Sequence, residues 1–183
     1  MKIFMVRHGQ TDSNAAKLIM GQRIDESLND AGRKQVQELT MKIQDMTFDV
    51  IFSSPLKRAA ETAAILASGR DTKVVLRDEL KERDFGSVSG KSWADADALA
   101  VAEPGGLKTA DRHLDYDYRP YGGESAEDVK KRLLRFIDEV KRDYSDRRVL
   151  VVAHGGILRF AHKLFHDADI DHIENAALEE FEV

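Results

Sequence analysis

Three apolar runs in this chain each lead into residues that can handle a phosphoryl group. The first is Lys2-Ile3-Phe4-Met5-Val6, which runs into Arg7-His8-Gly9. A neutral imidazole has one lone pair able to attack phosphorus. An arginine beside it can grip two oxygens at once, and a glycine lets backbone approach a ligand. The second run, Arg147 to Ala153, ends in His154-Gly155-Gly156. Between them, Phe48-Asp49-Val50-Ile51-Phe52 leads through Ser53-Ser54-Pro55-Leu56 to Lys57-Arg58. Taken singly, each has an ordinary reading: a strand-end arginine, a structural histidine, an exposed helical arginine. Three such ends in one short chain favour chemistry.

Elements must bring these residues together. Short apolar runs rich in β-branched and aromatic residues read as buried strands, and ligands on open α/β sheets bind outside the carboxyl ends of the strands. Strands alternate with helical patterns, so the expected fold is α/β: a three-layer sandwich, with a mostly parallel central sheet and helices on both faces. A helix capped by Asn29 or Asp30 is expected to run to about Gln44, with Val36, Leu39 and Ile43 inward. Ser54-Pro55 reads as the start of another, with Ser54 as cap, running to about Ala67. Lys73–Leu76 reads as a short strand. Ser125 with Asp128 forms a capping pattern for a helix to Tyr144, whose stripe is Val129, Leu133, Phe136, Ile137 and Val140. A helix over Gly156–Phe165 and a closing strand over Leu178–Val183 complete the pattern. Residues 91–122 differ. Ser92–Glu103 reads as a helix stopped by Pro104-Gly105-Gly106, and Leu107–Gly122 is polar, tyrosine-rich and aperiodic, so the stretch is expected to be an insertion or lid on a single domain spanning 1–183.

Composition narrows the function. Apolar residues make up 42% and charged residues 33%, with three prolines and no low-complexity tract, as in a globular protein. A net charge of -5 argues against nucleic-acid partners, so cationic potential for an anion must be concentrated in one cleft. With no cysteine, thiolate chemistry is excluded and a cytoplasmic location is the expectation. The first apolar stretch is too short for a secretory leader, and no run is long enough for a membrane span. His162 and His166 lie four apart among six histidines, but the surrounding residues read as a solvated helix end; neither metal nor cofactor is expected.

The chain resembles the histidine phosphatase superfamily, the phosphoglycerate-mutase-like proteins. The matching residues are Arg7-His8-Gly9-Gln10-Thr11 with Asn14, then Gly21, Asp25, Leu28, Gly32 and Gln35. Next come Ser53-Ser54-Pro55-Leu56-Lys57-Arg58-Ala59 with Thr62 and Ala63. Leu80, Glu82, Phe85, Gly86, Gly123-Glu124-Ser125 and His154-Gly155-Gly156 follow in order. The resemblance implies a phosphoglycerate-mutase-like fold, metal-free catalysis and a phosphohistidine on His8 Nε2, the other ring nitrogen being held by a carbonyl near Gly9. It implies that Arg7 and Arg58 clamp the phosphoryl oxygens and that His154 donates to them, as a cation or a donor tautomer. It makes Glu82 the general acid, with a pKa raised by burial near a phosphate; spacing alone leaves Glu79 and Asp84 open. Asn14, Thr11, Gln22 and Gly155 are candidate phosphate or substrate contacts, although Thr11 and Asn14 could equally cap the segment after the first strand. Glu124 and Ser125 read as helix-start architecture. Val88-Ser89-Gly90 stands where the family often has Trp-Glu-Gly, which changes the local pocket.

The expected function is hydrolysis of a small phosphorylated metabolite. The alternatives are a cofactor-dependent phosphoglycerate mutase and an inactive phospho-ligand-binding protein. A mutase must hold its product for the return of the phosphoryl group, yet residues 91–122 contain no adjacent arginine pair to serve as a second anchor. The five core residues Arg7, His8, Arg58, Glu82 and His154 argue against loss of catalysis.

Overall fold

Successive residues of a strand face opposite sides of a sheet, so each apolar run feeds two cores. The computed structural model describes residues 1–99 and 106–183. β1 (Lys2–Arg7), β2 (Val50–Ser53), β3 (Lys73–Leu76), β4 (Val149–Ala153) and β5 (Leu178–Glu182) form one sheet in the order β3-β2-β4-β1-β5. Its pairings are parallel except β1 with β5. Phe4, Val6, Ile51, Leu150 and Val152 pack in one core with residues of α2 (Asp30–Lys42) and α3 (Lys57–Ala67). Ile3, Met5, Phe52, Val149 and Val151 pack in the other, with α6 (Ala126–Asp143) and α7 (Gly155–His166). Fully burying a large apolar side chain contributes about 1.5–3 kcal/mol, so the two cores fix the sheet between helical layers. Among the described residues no helix is long and apolar enough to cross a membrane.

Helix boundaries follow local chemistry. Asn29 caps α2 by accepting from the Gly32 amide, and Ser125 caps α6 in a reciprocal capping box with Asp128. α3 starts later than its sequence suggests. Leu56 is its N-cap without a side-chain bond, while the Ser54 hydroxyl accepts from the Leu56 amide and has His154 as its other partner. After β1, Thr11 caps the short α1 (Asp12–Ala15).

In the 91–122 stretch, α4 (Trp93–Leu99) matches the front of the expected helix; Glu103, Pro104 and Gly105 lie outside the described residues. The aperiodic stretch beyond contains a helix after all, α5 (Gly106–Arg112). Only Leu107 and Asp111 of α5 are buried, and one of that pair is charged, so the apolar periodicity is absent.

Candidate active site

The ladder of the sheet continues past the strand ends and sets the site. The His8 amide donates to Ala153 O and the Ser54 amide to Val152 O, each at 3.0 Å. β2, β4 and β1 are neighbours, so His8, Ser54 and His154 emerge side by side. A Cβ on Gly9 would stand 2.6 Å from Gly32 O, so this glycine lets the start of α2 press against the loop.

His8 Nδ1 lies 2.7 Å from Gly9 O. A carbonyl only accepts, so Nδ1 carries the proton and Nε2 the lone pair. Burial, reinforced by His154, Arg58 and Arg7, pushes the His8 pKa well below 6.5, so the ring is neutral at neutral pH. Arg58 is buried on α3 and donates from Nε to His8 Nε2 at 3.3 Å. Its other nitrogens bond Ile24 O at 2.9 Å and Gly21 O at 2.8 Å. Burial lowers the Arg58 pKa to about 10, against the raising effect of Glu82, Asp25 and Glu26, and leaves it cationic at neutral pH. Arg7 donates through one terminal nitrogen to Ile173 O. Its Nε is buried without a hydrogen-bond partner among the described residues.

His154 is fully buried, its ring centroid 5.1 Å from that of His8 and tilted by 60°. Its Nε2 lies 2.8 Å from Ser54 Oγ. That hydroxyl already accepts from the Leu56 amide at 3.3 Å, and its proton has no other acceptor among the described residues. Ser54 therefore donates to Nε2, leaving the proton of His154 on Nδ1, which is buried and unpartnered. Burial and then Arg58, Arg132 and Arg7 hold its pKa well below 6.5. The neutral donor tautomer is one of the two states expected from the sequence.

Glu82 lies between the 3₁₀ turns Asp78–Leu80 and Gly86–Val88. Arg132 of α6 pins this segment by donating to Glu79 O, Lys81 O and Glu82 O at 2.7, 2.6 and 3.2 Å. Glu82 Oε2 accepts from the Gly156 amide at 3.0 Å; Oε1 accepts from Arg83 Nη1 at 2.9 Å and from the Arg83 amide at 3.0 Å. A Cβ on Gly156 would lie 2.3 Å from Oε1, so a side chain there would displace the carboxylate. Burial raises the Glu82 pKa, but Arg83, the two amides and Arg58 outweigh it and hold it at about 2. Three donors, two on Oε1 and one on Oε2, favour the ionised carboxylate, whereas the raised value is expected beside a bound phosphate.

Arg7, His8, Asn14, Arg58, Glu82 and Gly155 share the wall of one cavity of about 550 Å³. His154 packs behind His8 rather than on that wall. Asn14 combines both of its readings, since it lines the cavity and also completes the cap of α1. Thr11 and Gln22 are not on the wall. Thr11 Oγ1 accepts from the Asn14 amide at 3.2 Å, and Gln22 donates to Glu124 at 2.9 Å. Four contributors do not stand out in the sequence reading. Ser54 reads there as a helix cap, and Asn175, shortly before the last strand, donates from its side-chain amide to His8 O and Asn14 Oδ1 at 3.0 and 3.2 Å. Arg83 is not among the residues that carry the Leu80-x-Glu82-x-x-Phe85 frame, and Asp111 sits in the aperiodic stretch. Among the described residues no group of three or more histidines and carboxylates could hold a metal ion.

Comparison with known proteins agrees in sequence and in fold. Residues 3–183 match the family described as the histidine phosphatase superfamily, branch 1. The chain is 33% identical over 160 residues to a metal-independent phosphoserine phosphatase of Arabidopsis thaliana, covering 86% of this chain and 66% of that one. It is 35% identical over 164 residues to a 2,3-bisphosphoglycerate-dependent phosphoglycerate mutase of Methylorubrum populi, covering 86% and 75%. A mycobacterial glucosyl-3-phosphoglycerate phosphatase, solved in complex with VO3, superposes with a TM-score of 0.85 at 30% identity, covering 98% of this chain and 91% of that one. The chain thus belongs to branch 1 of the histidine phosphatase superfamily.

Proposed function

We propose that this protein is a phosphomonoesterase that hydrolyses a small phosphorylated metabolite through a phosphohistidine on His8. The observation that carries the reading is the Gly9 O lock on His8 Nδ1, which leaves a neutral ring with its lone pair on Nε2 beside Arg58. Arg58 and the unpartnered Nε of Arg7 are donors for the phosphoryl oxygens. The buried, unpartnered Nδ1–H of His154, whose ring centroid is 5.1 Å from that of His8, is the third donor in this reading. In the first step Nε2 bonds to phosphorus while the ester P–O bond breaks, and Glu82 delivers a proton to the leaving oxygen. In the second, water attacks the phosphohistidine, Glu82 takes a proton from it, and phosphate leaves with the P–N bond broken. Glu82 needs a proton for the first step, and a phosphomonoester monoanion can bring one; the negative charge of the bound phosphoryl group raises the Glu82 pKa in the complex.

The substrate suited to the cavity is small and acidic at its far end. A volume of about 550 Å³ accommodates a metabolite rather than a protein segment. Lys17 and Lys108 lie on its wall without an acidic partner among the described residues, beside the apolar surfaces of Phe85 and Trp93. A carboxylate at the distal end of the substrate would meet that charge, and the phosphoserine, phosphoglycerate and glucosyl-phosphoglycerate of the relatives' names all carry one. Hydrolysis is favoured over mutase chemistry because the other arginines on the wall have partners: Arg83 and Arg159 bind Asp111, and Arg112 pairs with Asp171 at 2.8 Å.

The test is phosphate release from a panel of phosphorylated carboxylic acids, sugar phosphates and nucleotides, with and without 2,3-bisphosphoglycerate and a chelator. We expect release without either additive, unchanged by chelation and fastest for the acids. Isomerisation dependent on 2,3-bisphosphoglycerate without phosphate release would make the protein a mutase; binding without turnover would make it a ligand-binding protein.

A further inference from the structure

We propose that Asp111 and Arg83 are positioning residues for Glu82: α5 supplies a buried carboxylate that holds the Arg83 fork, and the fork holds the Glu82 carboxylate against the reacting centre. The inference rests on the reading of Glu82 as the acid–base and adds to its machinery the adjacent Arg83 and, 28 positions beyond that arginine, Asp111. Arg83 and Asp111 are 7% and 5% exposed. They meet fork to fork, Nε to Oδ1 and Nη2 to Oδ2, both at 2.7 Å. This bidentate geometry fixes the guanidinium plane and leaves Nη1 for Glu82 at 2.9 Å. The plane also lies over the rings of Phe85 and Tyr116, at 4.5 and 5.5 Å from their centroids. Asp111 is itself fixed by Arg159 Nη1 at 3.0 Å and by the Tyr118 hydroxyl at 3.2 Å. Arg159 further bonds Asp111 O and Arg112 O, each at 2.7 Å, tying the end of α5 to α7.

The arrangement joins two functions. Lys108 and Arg112 of the same short helix lie on the cavity wall. The short helix that contributes to the cavity wall thereby also holds the arginine that fixes the acid. Charge is balanced within the cluster, two guanidinium groups against two carboxylates. Arg83 remains cationic, since Asp111 and Glu82 more than offset burial and raise its pKa. The other charged or titratable groups around Glu82 are Arg7 at the end of β1, His8 on the same cavity, Arg58 on α3, Arg132 on α6 and Tyr116 beyond α5. They stay in place when Arg83 or Asp111 is changed. Removing the Arg83 charge withdraws the strongest attraction on the ionised form, so Glu82 should titrate higher. Removing the Asp111 charge leaves Arg83 and Arg159 facing Glu82 with less compensation, so its acid form should become scarcer.

Two measurements test the pair on the full chain. The first is the carboxyl ¹³C titration of Glu82, read by NMR and assigned with Glu82→Gln. Wild type should show no Glu82 transition above about pH 4, a range in which an ordinary glutamate begins to titrate. Arg83→Met should bring a transition into that range, and Arg83→Lys, which keeps the charge, should remove it again. The second is kcat/KM for an alkyl phosphate against p-nitrophenyl phosphate, whose leaving group needs little protonation. Asp111→Asn should lose about ten- to a hundredfold on the alkyl ester, the scale of a misplaced catalytic group, and several-fold less on the nitrophenyl ester. Equal losses on both esters, or a Glu82 titration unaltered in Arg83→Met, would overturn the proposal. Should Arg83→Met fail to fold, a wild-type ester ratio in a folded Asp111→Asn would also overturn it. Glu82→Gln separates the two readings: equal losses on both esters in that variant would sink the acid assignment, while the titration would still report whether Arg83 and Asp111 set its charge.

Discussion

Ser54 holds the tautomer of His154 and so decides whether that ring offers a proton or a lone pair to the site. The only acceptor for its hydroxyl proton among the described residues is His154 Nε2, at 2.8 Å. Ser54→Ala removes the bond to His154 and the one from the Leu56 amide, each worth about 0.5–1.5 kcal/mol, and frees the ring to take either tautomer. We expect kcat to fall about five- to tenfold with little change in KM, and Ser54→Thr to restore it. An unchanged kcat in Ser54→Ala would show that the serine only packs. At this scale the sequence is informative where one motif holds the whole message. Arg7-His8-Gly9 and His154-Gly155-Gly156 announce two histidines at strand ends because the apolar run and the polar end are contiguous. It is silent where the message is a pair. Nothing at Arg83 or Asp111 alone reveals a fork-to-fork contact across 28 residues, and Gln22 gives no sign that Glu124 draws it out of the cavity. The charge state of Glu82 was beyond reach for the same reason, because its cause is an arginine and two amides arranged in space.

Among the elements, α6 shows how a cap and a stripe combine. Its capping box closes the amides of Ser125 and Asp128, and Val129, Leu133, Phe136, Ile137 and Val140 are all buried. Ser125→Ala should cost about 1 kcal/mol, seen as a lower denaturant midpoint with an unchanged slope. A midpoint equal to wild type would mean that solvent replaces the cap fully. Long amphipathic elements of this kind were legible because 18 residues repeat the period several times. α5 was not, because seven residues with two inward positions carry no period. Ser54-Pro55 reads as a helix opening, yet α3 takes Leu56 as its N-cap, and Ser54 serves His154 as well as the Leu56 amide.

For the molecule as a whole, burial of neutral histidines links the site to stability. An unfolded histidine binds a proton below about pH 6.5. Folded His8 and His154 do so only well below that value, so on acidification the unfolded state binds more protons and gains. The stabilisation is complete above pH 6.5 and is lost as pH falls below it. Glu82 acts in the same direction further down, from about 4.5 toward its folded value of about 2. We expect the thermal midpoint to fall between pH 7 and pH 5, and to fall less in His8→Gln; a midpoint independent of pH over that interval would contradict the burial of neutral rings. A net charge of -5 on the chain coexists with this site because Arg7, Arg58 and Arg83 are gathered around a single cavity.

The central claim is a covalent phosphoryl group on His8, and the most direct measurement is rapid quenching during turnover of a ³²P-labelled phosphomonoester. Label should appear on the protein, stable in base, lost in acid, mapped to His8 and absent from His8→Ala. A wild-type enzyme that turns over with no labelled protein at any quench time, or a His8→Ala variant that keeps substantial turnover, would contradict it.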